Sequence, residues 1–534
     1  MEAQFQKDFS YKKKAVLLII AFAIIRGVFA FTMALGVDES YYWAYSQYLK
    51  WNYFDHPPMV SIFIRLSTLN LSLDSIEGFV RLSSVLGCGL SSWFLFKTCE
   101  LLHSSKSGFY AVCMYNASFY AAITAGLFIM PDTPQMVFFT FSFLMIAKID
   151  KEPASWLYWI LFGLASGLCI MSKVHGVFVW VGMGLYILLK KRDWLKLPQL
   201  YGALVIAVAI ACPILIWNIK HDFATYKFHS ERVSINKDPI NMVSFLGEFA
   251  SQFIFNNPFN VILACSALLA YGKFKEMRTR PLSIYNFIAL PLAILLLVIS
   301  LFRDNTLPHW SGPAYVALIP LAAIHIATAA KASSMRLLKI GLAGFTIILI
   351  GWKSAIHFYG HNFGEEIPKE LLAPSKTFQA KNLLHAFDGF MRMQLVTEPL
   401  HGWSEAKEKF DSIYRKDIAD GITLPNSPLV THTWGGAQVE YYFSNPGNLK
   451  MIGLGSLKDL HEYIWMNDSR KDKVDFTNAY FISLEKTDPA SSFELYYNKV
   501  DSVTTFIINR NTRPDLKFYI YRLSGWKNNC PVAH

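Results

Sequence analysis

Charge is scarce in this sequence. Asp, Glu, Lys and Arg make up 17% of its 534 residues, against roughly 25% in ordinary soluble domains. That shortage excludes a soluble multidomain enzyme and a disordered scaffold. Cysteine is thinly spread and in the wrong place for bridging. Cys88, Cys99, Cys113, Cys169, Cys212 and Cys265 lie in apolar runs, and Cys530 stands alone in the polar tail. A lone cysteine closes no disulfide within its own domain, so a secreted disulfide framework is excluded too. Three signatures are also missing: a phosphate-cradling G-x-x-x-x-G-K-[ST], a dinucleotide-binding glycine motif, and zinc-type Cys/His spacing. No nucleotide cofactor is expected, and a soluble nucleotide donor has no support.

What is present is apolar and aromatic. Hydrophobic residues account for 53% of the chain, with 42 Phe, 26 Tyr and 14 Trp, and the mean hydropathy is +0.29. Residues 1–361 read as eleven apolar runs: 15–37, 79–102, 107–127, 132–148, 155–172, 174–190, 200–219, 245–271, 281–302, 310–330 and 335–358. Each is near the ~20 residues that cross a bilayer, and in lipid such segments must be helices to satisfy their own backbone. The first run follows Lys12, Lys13 and Lys14 and exceeds the roughly 7–15 residues of a signal-peptide core, so it reads as a retained anchor.

The net charge of +11 would suit nucleic acid, but its placement gives a simpler account. The triple lysine, Lys97 with Lys106, Lys148 with Lys151, Lys190 to Lys196, Lys273 to Arg280, and Lys331 to Lys339 all fall on one side of an eleven-span chain. The positive-inside rule makes that side cytoplasmic. No nucleic acid partner is expected. An odd number of spans puts the tail outside. The expected fold is therefore a polytopic α-helical membrane protein, with a transmembrane domain over 1–361 and an α/β or α+β extracytoplasmic domain over 362–534. The linker is His361–Lys381, broken by Pro368 and Pro374. Strands are expected at Ser427–His432, Ala479–Leu484 and Lys517–Leu523, and helices at Ser404–Tyr414 and Ala437–Ser444.

The outer connections carry the candidate chemistry. The first contains Asp38-Glu39-Ser40-Tyr41-Tyr42-Trp43 and Tyr53-Phe54-Asp55-His56-Pro57-Pro58, with helical periodicity over Met59–Leu71. It is too aromatic for a solvated loop, so short helices in the membrane interface are expected. The others bring Asp132, Lys173 with His175, a stretch with Lys227, His229, Glu231 and Arg232, and Arg303 with His309. Asp38 and Asp132 each follow an outward-going run directly, and ionisable groups at that depth are functional candidates. A carboxylate there could act as a general base toward a hydroxyl or hold a divalent cation. Capping of the following helix is the plainer alternative for Asp132. Nearby cations suit a lipid-linked phosphate. Arg26, deep in the first run, is expected to pair internally or snorkel.

These strings resemble the polyprenyl-phosphate-dependent glycosyltransferases of the C-type superfold, nearest to the protein O-mannosyltransferase and the lipid A aminoarabinose and galacturonate transferase families. Asp38–Trp43 is similar to the family's Asp-Glu-x-Tyr-Tyr-Trp, and Tyr53–Pro58 to its Tyr-Tyr-Asp-His-Pro-Pro. Arg81-Leu82-Ser83-Ser84 resembles Arg-Leu-Pro-Ser, Pro131–Pro134 the second acidic loop, and Ser172-Lys173 its Ser-Lys. His309–Tyr315 resembles His-Trp-Pro-Ala-Pro-Ala-Tyr, departing at Ser311 and Gly312. In the tail, Gly402-Trp403 and Ala437–Phe443 resemble the family's outer domain. The resemblance implies an inverting transferase of a cytoplasmic (inner) membrane with a periplasmic tail. It would move a sugar from a polyprenyl-phosphate donor to a lipid, glycan or protein acceptor. It also implies catalysis by Asp38, Asp132 and Glu39. Donor and acceptor contacts would come from Lys173, His56, Asp55, Arg81, Arg232, Arg303 and His309, and Asp38 and Asp132 would be the ligands of any divalent metal ion. A transporter or lipid flippase without glycosyl transfer is the alternative. It fits less well, because such proteins place polar groups at midmembrane.

Overall fold

The computed structural model describes residues 2–233, 240–271, 281–302, 308–329, 331–359, 402–484, 489–510 and 513–527. The linker His361–Lys381 and Cys530 lie outside them.

Every one of the eleven apolar runs is helical. The helices are α1 (Glu2–Thr32), α2 (Val37–Gln47), α3 (Met59–Ser67), α4 (Glu77–Leu102), α5 (Ser105–Ala117), α6 (Asp132–Lys151), α7 (Trp156–Ile170), α8 (Phe178–Lys190), α9 (Pro198–Lys220), α10 (Ala224–Val233), α11 (Met242–Phe255), α12 (Pro258–Tyr271), α13 (Ser283–Ser300), α14 (Gly312–Ala329) and α15 (Ala332–Tyr359). Among the described residues six helices are long and apolar enough to cross a membrane, or seven if the bent pair α11–α12 is one span. Of the remaining runs, 107–127 is interrupted, 155–172 and 174–190 form shorter helices, and 132–148 lies in the 20-residue α6, whose two ends carry polar residues.

Two interruptions have clear causes. The 245–271 run is not one straight helix: its two limbs meet at 100°. Asn257 takes a left-handed backbone with φ 64°, and Pro258 then opens α12 without an N–H to give. The Asn257 amide donates to Ala117 O at 2.9 Å and Gly341 O at 3.1 Å, so the bend is tied to α5 and α15. The 107–127 run breaks at Ser118 and resumes as a π turn over Tyr120–Thr124. Arg26 from α1 is 2% exposed and donates to Ala122 O at 2.9 Å and Asn116 Oδ1 at 2.7 Å. Its positive charge is therefore absorbed internally, at the place where the helical ladder is interrupted. Close packing elsewhere relies on small residues: the Gly163 backbone of α7 touches that of Ala203 in α9.

The tail is an α+β domain. Helix α16 (Trp403–Ala419) packs on a five-stranded sheet of order β2-β1-β3-β5-β4. The strands are β1 (Leu429–Thr431), β2 (Met451–Gly453), β3 (Asn478–Ser483), β4 (Tyr497–Arg510) and β5 (Arg513–Trp526). β1 is parallel to β2 and β3, and the β3–β5 and β5–β4 pairs are antiparallel.

This domain sits on α2. Residues Glu39 to Ser46 are all buried, so α2 is an internal layer between the membrane helices and the sheet domain, where an interfacial helix was expected. Trp43 meets Tyr441 edge-on at 4.9 Å, and Tyr41 lies against Trp434 and Tyr463. Leu35 N donates to the Tyr442 hydroxyl at 2.6 Å and Gln438 donates to Leu35 O at 2.8 Å. The first loop and the tail therefore share one face.

Candidate active site on the shared face

Asp132 opens α6 immediately after Pro131 and is 1% exposed. A carboxylate this deep needs partners, and it has three hydrogen bonds. Lys173 Nζ, itself 4% exposed, donates to its two oxygens at 3.0 and 2.8 Å. The Tyr120 hydroxyl donates at 2.8 Å. Tyr120 stands in the π turn, and its ring packs directly on Gly312, where a β-carbon would overlap it. His309 and His175 both lie within electrostatic reach of Asp132 and Lys173, and His175 packs against Trp310 at 5.5 Å. The Nδ1 atoms of both histidines are buried without a hydrogen-bond partner among the described residues.

The second group corrects part of the sequence reading. Glu39, expected beside Asp38 in catalysis, is 2% exposed and accepts from Arg81 through both oxygens, with Arg81 Nε at 2.7 Å. It also accepts from Gly36 N at 2.9 Å and Ile129 N at 3.1 Å. Arg81, expected to meet substrate, is fully buried and donates further to Met33 O at 2.6 Å and Ala34 O at 2.7 Å. With these bonds the pair has no group left to reach a ligand. It clamps the end of α1, the start of α2, α4 and the approach to α6.

Asp38 occupies the first turn of α2 and is half-buried. Asp55 accepts from the Tyr45 hydroxyl, and its backbone oxygen meets His229 Nε2 of α10 at 2.9 Å. His56 lies between the rings of Tyr42 and His229. The Arg232 side chain and all of Arg303 fall outside the described residues.

A divalent cation does not fit at Asp132. Both its oxygens already face an ammonium, which stands where a metal would. Among the described residues no three His, Cys, Asp or Glu side chains gather as a metal group.

Two contributors were not singled out from the sequence. Tyr120 sits inside an apolar run where nothing marks it. Glu462 of the sheet domain is fully buried, accepts from Lys50 at 2.7 Å and Phe54 N at 2.8 Å, and its backbone N–H donates to the Tyr41 hydroxyl at 3.0 Å. Burial pushes its carboxyl up to about 7, with Lys50 opposing. It pins the Lys50–His56 strap to the sheet domain.

Residues 55–217 match the family described as dolichyl-phosphate-mannose-protein mannosyltransferase. The lipid A galacturonosyltransferase RgtD of Rhizobium johnstonii is 24% identical over 307 residues, 57% of this chain and 64% of that protein; the match spans under two thirds of that relative's length. Structures of ArnT from Cupriavidus metallidurans align with TM-scores of 0.61 when bound to undecaprenyl phosphate and 0.60 in the apo state. Identity is 16% and 14%, over 97% and 98% of this chain and 99% of each of theirs. The alignment covers the helical part and the sheet-bearing tail almost end to end, and the chain shares the fold of these ArnT structures.

Proposed function

We propose that the protein is an inverting glycosyltransferase of the cytoplasmic membrane, working on its outer face with the sheet domain in the periplasm. It takes a sugar from a polyprenyl-phosphate donor and passes it to a lipid, glycan or protein acceptor. The observation that carries this reading is the buried Asp132–Lys173–Tyr120 group with His309 beside it, on a fold shared with a structure bound to undecaprenyl phosphate. A phosphate leaving group needs hydrogen-bond donors at headgroup depth. Lys173, which keeps one ammonium hydrogen beyond the two given to Asp132, and the histidines can be such donors, while Tyr120 holds Asp132 and Asp132 holds the lysine in place.

The transfer is one displacement. The acceptor hydroxyl oxygen attacks the anomeric carbon as its bond to phosphate breaks. The polyprenyl phosphate leaves with that electron pair, and the hydroxyl proton goes to Asp38. Asp55 and His56 support the floor of the site from the strap, and Glu39 with Arg81 fixes the start of α2 so that Asp38 is held in one place. A phosphate acceptor would need no base. Asp38→Asn tests this directly. Loss of a general base costs roughly 10²–10⁴-fold in rate, so turnover should fall by that order while undecaprenyl phosphate still binds. Mass spectrometry of envelope glycolipids and glycoproteins from cells carrying either form reads out the missing sugar. Full product in the variant would overturn the mechanism.

A further inference from the structure

The sheet domain contains a cleft that the transfer chemistry above does not use. It has a volume of about 360 Å³, within the roughly 300–1,000 Å³ of small-molecule sites. Its walls are the carboxyl end of β1 with the loop after it, from Val430 to Gly436, and the carboxyl end of β3, from Phe481 to Leu484. The position follows from topology. In the order β2-β1-β3 the chain leaves β1 to one side and returns across it to the other. That makes the β1/β3 edge a switch point, where open parallel sheets bind ligands.

Val37, the residue before Asp38, also lines the cleft. The lining chemistry is selective. Thr433 and Ser483 bring hydroxyls and Phe481 a ring, while the Thr431 hydroxyl is already paired with the Thr433 backbone and the Gln438 amide nitrogen with Leu35 O. Among the described residues no Lys, Arg, Asp or Glu lines it. His432 has Nδ1 buried with no hydrogen-bond partner among the described residues. Burial holds its imidazole below the usual value against the opposing pull of Asp459, so it too brings no charge at neutral pH. Among the described residues a phosphate or carboxylate would find no counter-charge here. A pyranose ring would present an apolar C–H face to Phe481 and hydroxyls to the Thr433 and Ser483 side chains.

We propose that this cleft is the acceptor's recognition site and takes one neutral, hydroxyl-rich sugar ring, placing the acceptor at the N-terminus of α2 where Asp38 stands. The assignment of the ring to the acceptor rests on the glycosyl-transfer reading. The binding of a neutral sugar does not.

The experiment uses the full chain in detergent and saturation-transfer NMR with methyl glucoside, methyl mannoside and N-acetylglucosamine, against galacturonate as the charged probe. At least one neutral glycoside should give signal, and galacturonate should give less. Thr433→Trp and Ser483→Trp fill the cleft from its two walls and should each reduce that signal about tenfold or more. His432→Ala serves as a third variant that adds no bulk. Retained binding of undecaprenyl phosphate shows that a variant is folded. No signal from any neutral glycoside, a stronger signal from galacturonate, or equal signals in wild type and all folded cleft variants would each overturn the site. Lost glycoside binding with unaltered envelope product would overturn its acceptor role and leave the transfer reading standing. Full activity in Asp38→Asn with glycoside binding intact would remove Asp38 as the base and leave the cleft and the transfer standing, whereas identical envelope products in cells with and without the protein, with glycoside binding intact, would remove the transfer reading and the acceptor role and leave a sugar-binding cleft.

Discussion

At the scale of single residues, burial decides what Lys173 and Asp132 can do. Read as a free cation, Lys173 would bind donor phosphate and tolerate replacement. Buried against Asp132 it is half of an ion pair, and removing one partner of such a pair typically costs about 3–5 kcal/mol. Lys173→Met should therefore lower thermal stability severely, and adding Asp132→Asn should restore much of it, because the stranded carboxylate is then neutral. Thermal unfolding of both variants checks this, and equal stability of the single and double variants would contradict it. Gly312 carries a second expectation. The resembling families have alanine there, and here Tyr120 fills that space. Gly312→Ala should cost on the order of 1–3 kcal/mol by overpacking and lower activity by moving the Tyr120 hydroxyl off Asp132. Restored activity on adding Tyr120→Phe would show instead that the hydroxyl has no role. Asp132 and Lys173 were both legible as outer polar residues. Their partnership was not, since 41 positions separate them and only the packing of α6 against α7 brings them together. Glu39 shows the opposite limit. Neighbours on a helix point about 100° apart, so Asp38-Glu39 looks like one acidic unit in sequence and is divided in space.

At the scale of elements, the sequence shows where helices run better than where they bend. Apolar continuity marks each run. The 100° turn at Asn257 and the π turn at Tyr120 depend on one side chain finding carbonyls in other helices, which no periodicity records. In the tail, β1, β3 and β5 are apolar enough to be recognised, as are the helices at Trp403 and Ala437. β2 is only three residues long, and β4 is an edge strand rich in polar residues, so both escape the pattern. The Glu39–Arg81 clamp is where elements meet, and it makes a test. Arg81→Met leaves a buried carboxylate facing Gly36 and Ile129, with two carbonyls of the α1 end unmet. Its expected cost is again about 3–5 kcal/mol, and because it frees α2 it should also reduce turnover in whatever folded protein remains. A normal melting temperature for Arg81→Met would mean that the clamp is not structural.

At the scale of the whole molecule, the two halves are joined by groups that respond to pH. Glu462 has its carboxyl raised from 4.5 to about 7. Between those values the folded chain keeps a proton that the unfolded chain has released, so stability falls as pH rises across that window, by up to ~3 kcal/mol at 1.36 kcal/mol per unit. Glu462→Gln removes the slope: relative to wild type its melting temperature should be higher at pH 8 and nearly the same at pH 5. An unchanged pH profile would show that Glu462 is ionised at no cost. The stacking of the sheet domain on α2 also has a consequence for how the protein is made. α2 emerges from the ribosome among the first segments, while the domain that covers Tyr41, Trp43 and Leu35 emerges last. During translation this aromatic strip has nothing on it until the segment from Trp434 to Tyr463 has been made and, on the proposed topology, translocated. With the tail outside as proposed, cells short of extracytoplasmic chaperones should lose this protein earlier than membrane proteins whose helices bury one another as they are inserted.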